Sequence, residues 1–342
     1  MTNALALARS AFVGFLTLAV TLTGLLLATF VIGRVMPIDP VVAAVGDKAS
    51  AETYAAAREA LGLDKPIWVQ FGRYVEGVGR GDLGKSTVSG RPIVEDIGRA
   101  FPATIELATL AIVVGTLIGV PLGVYAAHRR NRRADHVIRF VSLIGYSTPI
   151  FWLGLIALLI FYAKLGWVSG PGRIATVYRY TVEVWSGFLL IDTLRSGNLD
   201  AFRSALSHLV LPATLLGYVS LAYIARMTRG FMIEELGKEY VTTARIKGAS
   251  EARVLWGHAL PNVMVPLVTV IALSFGHLLE GAVLTETVFA WPGIGLYITS
   301  GLFAADMPAV LGGTLVVGIC FVALNKLAEL LYPLLDPRTR AS

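Results

Sequence analysis

An all-α fold that crosses a membrane about six times follows from three observations on the 342 residues. The chain is 55% hydrophobic and 15% charged, with a mean hydropathy of +0.69, a balance no soluble domain of this size needs. Apolar stretches recur at about the 20-residue length that a spanning helix requires. The basic residues collect between particular stretches instead of spreading along the chain, which is the signature of a topology set by positive charge.

The apolar windows run from Ala11 to Ile32, Ala103 to Ala127, Val137 to Leu165, Leu206 to Ala225, Val263 to Phe289 and Ala309 to Leu335. The fifth is long enough to contain a break. The first follows Arg9, as a secretory leader would, but it is too long and runs into Gly33-Arg34-Val35-Met36-Pro37 without a small-x-small cleavage site, so it reads as a retained helix. Pro37-Ile38-Asp39-Pro40 ends that helix, because proline lacks an amide donor and restricts the residue before it. About sixty residues then precede the second window. Within them, Ala49 to Leu61 reads as a short helix, Leu63-Asp64-Lys65-Pro66 as a turn and Ile67 to Val78 as a second helix. Gly166 to Ser207, between the third and fourth windows, is polar and aromatic, and Tyr178, Tyr180 and Trp185 suit helices at headgroup level. The resulting division is an N-terminal span with its outer segment (1–100), a helical transmembrane domain (101–335) containing a charged segment (234–260), and a tail (336–342).

Charge assigns the two sides. Arg129, Arg130, Arg132, Arg133 and Arg139 cluster where the second window gives way to the third. Arg226, Arg229, Lys238, Arg245, Lys247 and Arg253 lie between the fourth and fifth, and Arg338 and Arg340 in the tail. These faces are expected to be cytoplasmic, together with both termini. Residues 34–100 carry nine basic and nine acidic side chains, and 286–306 carry no Lys or Arg. The formal net charge of +6 therefore belongs to one membrane surface and to anionic lipid, and no basic-aromatic groove for nucleic acid is visible. The single Cys320 has no intrachain disulfide partner and reads as packing.

Gly79-Arg80-Gly81-Asp82-Leu83-Gly84-Lys85-Ser86 satisfies the G-x-x-x-x-G-K-S phosphate-loop pattern. That mechanism needs a buried strand before the loop and a helix directly after it. Gln70 to Gly77 does not read as a strand, and Thr87-Val88-Ser89-Gly90-Arg91-Pro92 does not start a helix at once. The charge pattern also puts the loop outside, away from cytoplasmic ATP, so the match is read as spurious.

The charged segment is more informative. Glu239-Tyr240-Val241-Thr242-Thr243-Ala244-Arg245-Ile246-Lys247-Gly248 is followed by His258-Ala259-Leu260-Pro261-Asn262. Tyr240, Ala244 and Gly248 recur at i, i+4 spacing and form a small-residue stripe able to lie flush in another protein's groove. The Glu-x-x-x-x-Ala-x-x-x-Gly start, with Leu260-Pro261 downstream, resembles the cytoplasmic coupling loop of permease subunits of ATP-binding-cassette importers. Further motifs carry the same resemblance along nearly the whole chain: Gly62-Leu63-Asp64-Lys65-Pro66, Arg80-Gly81-Asp82-Leu83-Gly84, Phe101-Pro102-Ala103-Thr104-Ile105-Glu106-Leu107-Ala108, Pro149-Ile150-Phe151-Trp152-Leu153-Gly154, Thr285-Glu286-Thr287-Val288-Phe289-Ala290-Trp291-Pro292-Gly293 and Leu334-Leu335-Asp336-Pro337-Arg338. Together they resemble the first of the two partner permeases in dipeptide, oligopeptide and nickel importers. The resemblance implies a type I importer fold in a bacterial inner membrane, a similar second permease, two cytoplasmic ATPase subunits and an external solute-binding protein. It implies that Glu239, Tyr240, Ala244, Arg245, Lys247, Gly248, Leu260 and Pro261 couple to the ATPase, with short peptides as cargo and nickel chelates or opines as the alternative.

No catalytic constellation, metal-ligand spacing or cofactor motif is apparent, and ATP hydrolysis is expected on separate subunits. Of the five histidines, His208 and His258 read as structural, and His128 and His136 as surface residues beside the arginine cluster. His277 and Glu280 depart from the expected small or apolar residues of the fifth window. A charge there costs roughly 2.5–3.5 kcal/mol on insertion scales, so they should face a cavity or each other. They are the candidate translocation-pathway residues, against a self-satisfied pair or a contact with the partner permease. Lys326 and Glu329 read as a simple i, i+3 pair with a snorkelling lysine. An ion-coupled secondary transporter would need paired intramembrane acids or broken helices in both halves, and only Glu280 hints at that.

Overall fold

A computed structural model describes the backbone of residues 2–35, 40–46, 48–60 and 62–335, and the side chains of 14–33, 41–42, 45–46, 48–60 and 62–327. The Pro37-Ile38-Asp39 break, the Glu329 side chain and the tail from Asp336 lie outside the described residues. Thirteen α-helices follow in order: α1 (Thr2–Val35), α2 (Pro40–Val45), α3 (Ala51–Ala60), α4 (Ile67–Gly79), α5 (Ile93–His128), α6 (Arg133–Ser147), α7 (Ile150–Ala157), α8 (Leu189–Arg195), α9 (Leu199–Leu236), α10 (Glu239–Ile246), α11 (Leu260–Val288), α12 (Ile294–Phe303) and α13 (Met307–Leu335). Among the described residues five helices are long and apolar enough to cross a membrane, and six if α6 and α7 with its π-helical extension count as one bent span.

That bend corrects the sequence reading. The third window is not one straight helix: it turns by 102° between Ser147 and Ile150. The cause is Pro149, which has no amide to donate and holds Thr148 in an extended conformation (φ −91°, ψ 133°). The fifth window, long enough to contain a break, is continuous through α11, and the irregular turn precedes it as a π-helical stretch, Arg253–Ala259.

The described chain forms two compact units. One comprises residues 1–101 and 294–322. Its core gathers Ile93, Ile97 and Ile294, with Leu83, Tyr297 and Ile298 packed around them. Here Gly79-to-Ser86 takes its place as a turn. It is preceded by α4, not by a strand, and the Ser86 hydroxyl donates to the buried Asp306 carboxylate at 2.5 Å. Lys85 is exposed, with only its backbone bridged to Pro92. Lys85→Ala is therefore expected to leave ATP-driven uptake within about twofold of wild type. A collapse comparable to loss of an ATPase's own phosphate-loop lysine, measured in the same vesicles, would make the loop a nucleotide site.

The other unit comprises 102–293 and 323–342. Within it α5 crosses α9, and Gly115, Gly119 and Gly123 form a bare stripe against that helix. A Cβ on Gly115 would lie 2.8 Å from Ser220 Cβ, and one on Gly123 would lie 2.7 Å from the Ala225 carbonyl. Small residues at such spacing let two spanning helices touch backbone to backbone, which supplies dispersion contacts where lipid offers no hydrophobic drive. α6 and α11 pack on α9 as well. Asp135, at the start of α6, is fully buried and takes both a 2.6 Å bond from Arg229 Nε and a 2.7 Å bond from Arg229 Nη2 of α9.

Candidate functional site

Each sequence-predicted coupling residue falls at or near the short α10. Val241 is fully buried and roots the helix. Its N-terminal end is tied to the end of α9 through the buried Glu235. The Tyr240 hydroxyl donates to Glu235 Oε1 at 2.8 Å, and Lys238 Nζ donates to Oε2 at 2.6 Å. Asn262 Nδ2 donates in turn to the Tyr240 oxygen at 2.9 Å. Partial burial raises the Tyr240 pKa, so this hydroxyl stays a donor throughout the physiological range.

The C-terminal end of α10 is closed by glycine. Gly248 sits at φ 83°, its amide donates to the Arg245 carbonyl at 3.0 Å, and the Ala249 amide donates to the Ala244 carbonyl at 3.1 Å. This is the Schellman pattern, in which a left-handed residue after the helix satisfies the last carbonyls. Arg245 folds over the exit, donating from Nε to Glu251 Oε1 at 2.8 Å, and this bond holds the Glu251 carboxyl below its usual range. The result is a shallow groove of about 620 Å³ lined by Tyr240, Thr243, Ala244, Lys247, Gly248 and further residues from the π-helical stretch.

Four of the eight candidate coupling residues, Tyr240, Ala244, Lys247 and Gly248, thus line one groove. Glu239 is exposed beside it, and Arg245 is engaged with Glu251. Leu260 turns inward onto the cluster of Val124, Met232 and Val263, while Pro261 sits exposed in the first turn of α11. The segment 234–260 is the end of α9, α10 and the π-helical stretch, three pieces separated by turns.

The candidate pathway residues lie on α11. His277 and Glu280 are both exposed and share a face with Leu284 and Thr287, while Ser274, Leu278, Ala282 and Glu286 are buried on the opposite side. His277 Nδ1 lies 2.9 Å from the Leu273 carbonyl. Within a single chain, then, the polar pair opens outward.

Sequence reasoning overlooked a second polar group. Glu106 and Glu286 are intramembrane-window acids like Glu280, and the same cost argument applies to them. Both are buried. Arg173 donates from Nη2 to Glu106 Oε2 at 2.5 Å and to the Gly187 carbonyl at 2.7 Å, and the Leu190 amide donates to Glu106 Oε1 at 2.8 Å. The Thr104 hydroxyl donates to Glu286 Oε1 at 2.6 Å, and Trp291 Nε1 donates to the Ala103 carbonyl at 2.9 Å. The Arg173 guanidinium also lies 5.5 Å from the Trp291 ring centroid. A Cβ at Gly293 would run into the Glu286 carboxylate and force that side chain to shift. Two sequence motifs 180 residues apart, around Glu106 and Glu286, therefore form one buried node clamped by the long loop before α8.

Comparison with known proteins agrees with this architecture. Residues 119–341 match the family described as binding-protein-dependent transport system inner membrane component, and residues 9–108 match its N-terminal counterpart. The di/tripeptide transport system permease protein DppB of Pseudomonas aeruginosa is 43% identical over 321 residues, covering 94% of this chain and 95% of that protein. The dipeptide transport system permease protein DppB of Escherichia coli K12 is 43% identical over 324 residues, covering 94% and 95%. The inward-facing structure of the MetNI methionine ABC transporter is similar in fold, with a TM-score of 0.52 at 16% identity, covering 68% of this chain and 93% of that one. With its apolar helices and an extensive match at both ends, this chain belongs to the family of binding-protein-dependent transport system inner membrane components.

Proposed function

We propose that this chain forms half of the translocation pathway of an ATP-driven, binding-protein-dependent importer of short peptides. Its partners in that reading are a similar second permease, two ATPase subunits on the cytoplasmic side and an external solute-binding protein. The observation that carries the proposal is the α10 groove. It is rigidly rooted by Val241 and Glu235, capped by a left-handed glycine, and open to solvent. Such a feature transmits force: an ATPase seated on it moves the ends of α9 and α11 together, because α10 is joined to both through Tyr240. The relatives named for di- and tripeptide transport support peptides as cargo over nickel chelates or opines.

In this reading the basic faces are cytoplasmic and nucleotide is hydrolysed on the partner subunits. His277 and Glu280 then face the space between the two permeases, where a carboxylate exposed on a span meets water or cargo instead of hydrocarbon. The test is uptake of labelled di- and tripeptides into vesicles carrying the whole importer. Glu280→Gln is expected to change the uptake rate or the preference between cationic and neutral peptides at least threefold, at normal complex yield. Unchanged uptake and yield would remove both residues from the pathway.

A further inference from the structure

A cavity of about 530 Å³ lies between α6 and the second half of α9. Its wall is apolar along Leu143, Ala222 and Ala225, and carries the cationic side chains of Arg139 and Arg226, with His136 beside them. Arg229 also borders it, but that charge is matched by the bidentate Asp135. Arg226 differs. Among the described residues no carboxylate pairs with it. Its guanidinium lies 5.0 Å from the Tyr146 ring centroid and 5.5 Å from that of Tyr223. Ring faces attract a cation without neutralising it, so the side chain is held in place with its charge still available.

Arg226 follows directly on the apolar window that ends at Ala225, the depth at which lipid headgroups begin. Beside it, Phe140, Leu143 and Tyr146 of α6 are 64%, 60% and 63% exposed and extend the apolar wall outward. Tyrosine favours this level of the bilayer, and basic pockets between spanning helices suit anionic headgroups. We propose that the cavity holds the phosphate of an anionic phospholipid, with Arg226 and Arg139 on the headgroup and one acyl chain along α6. The site does not depend on the cargo, and its failure would leave the importer reading untouched.

The experiment is native mass spectrometry of the complete purified importer, delipidated and then offered dioleoylphosphatidylglycerol or dioleoylphosphatidylcholine. Wild type should retain phosphatidylglycerol about tenfold better, and Arg226→Gln should erase that preference at unchanged complex yield. Should Arg226→Gln not assemble, the wild-type selectivity and the charge-preserving Arg226→Lys still decide: Lys should keep most of the preference. Equal retention of the two lipids by wild type overturns the proposal. So does displacement of phosphatidylglycerol by millimolar alanyl-alanine, which would assign Arg226 to a cargo carboxylate, or by glycerol 3-phosphate, which would make a soluble phosphate the ligand.

Discussion

Gly248→Trp should abolish coupled uptake, by more than tenfold, while the chain still inserts and accumulates normally. The isolated chain offers no reason for so large an effect. A Cβ on Gly248 meets nothing within 4 Å, and the residue is exposed. The one intrinsic cost is the left-handed backbone at φ 83°, about 1–2 kcal/mol for a residue with a Cβ. An indole there projects from the groove formed by Tyr240, Ala244 and Lys247, so a severe loss must arise from whatever surface is seated on it. Gly248→Ala separates the two contributions: it carries the same backbone strain with almost no added bulk, and should retain a substantial fraction of uptake. Co-purification of the ATPase with each variant reads docking directly. Normal uptake by Gly248→Trp at normal expression would remove α10 as the coupling surface.

The second large effect is expected at Asp135 and Arg229. Arg229→Ala leaves a carboxylate with no exposed surface and without its two strongest bonds, and breaking a buried pair in this way typically costs about 3–5 kcal/mol. The expected result is a several-fold drop in folded permease recovered from membranes. The double variant Asp135→Ala with Arg229→Ala should recover much of that loss, since no uncompensated charge remains. Recovery should stop short of wild type, because Asp135 also accepts the amide of Asn131 at 2.9 Å, and Asn131 holds the turn before α6 at φ 61°. A double variant as poor as the single one would show that the turn, and not the charge pair, dominates.

What could be read in the amino-acid sequence was whatever depends on local pattern. Apolar runs of spanning length located the helices, and Ala51–Ala60 and Ile67–Gly79 emerged close to their expected limits. Long-range partnerships were not legible in this way. Asp135 is a lone acid in an arginine-rich stretch, and nothing local says that Arg229, 94 positions away, is the one that pairs with it. The same holds for Glu106 and Arg173, and for the node that joins Thr104 to Glu286. A buried carboxylate announces that a partner exists without naming it. The bend before α7 was of the other kind. Ser147-Thr148-Pro149 is a local stop signal, hidden by the hydrophobicity on either side of it.

The most direct measurement is reconstitution. Proteoliposomes carrying this chain, its partner permease and the ATPases, with binding protein outside and ATP inside, should accumulate a labelled dipeptide. Accumulation should vanish without ATP or binding protein, and should survive collapse of the ion gradients. Uptake that instead requires an ion gradient and continues without ATP and binding protein would contradict the account.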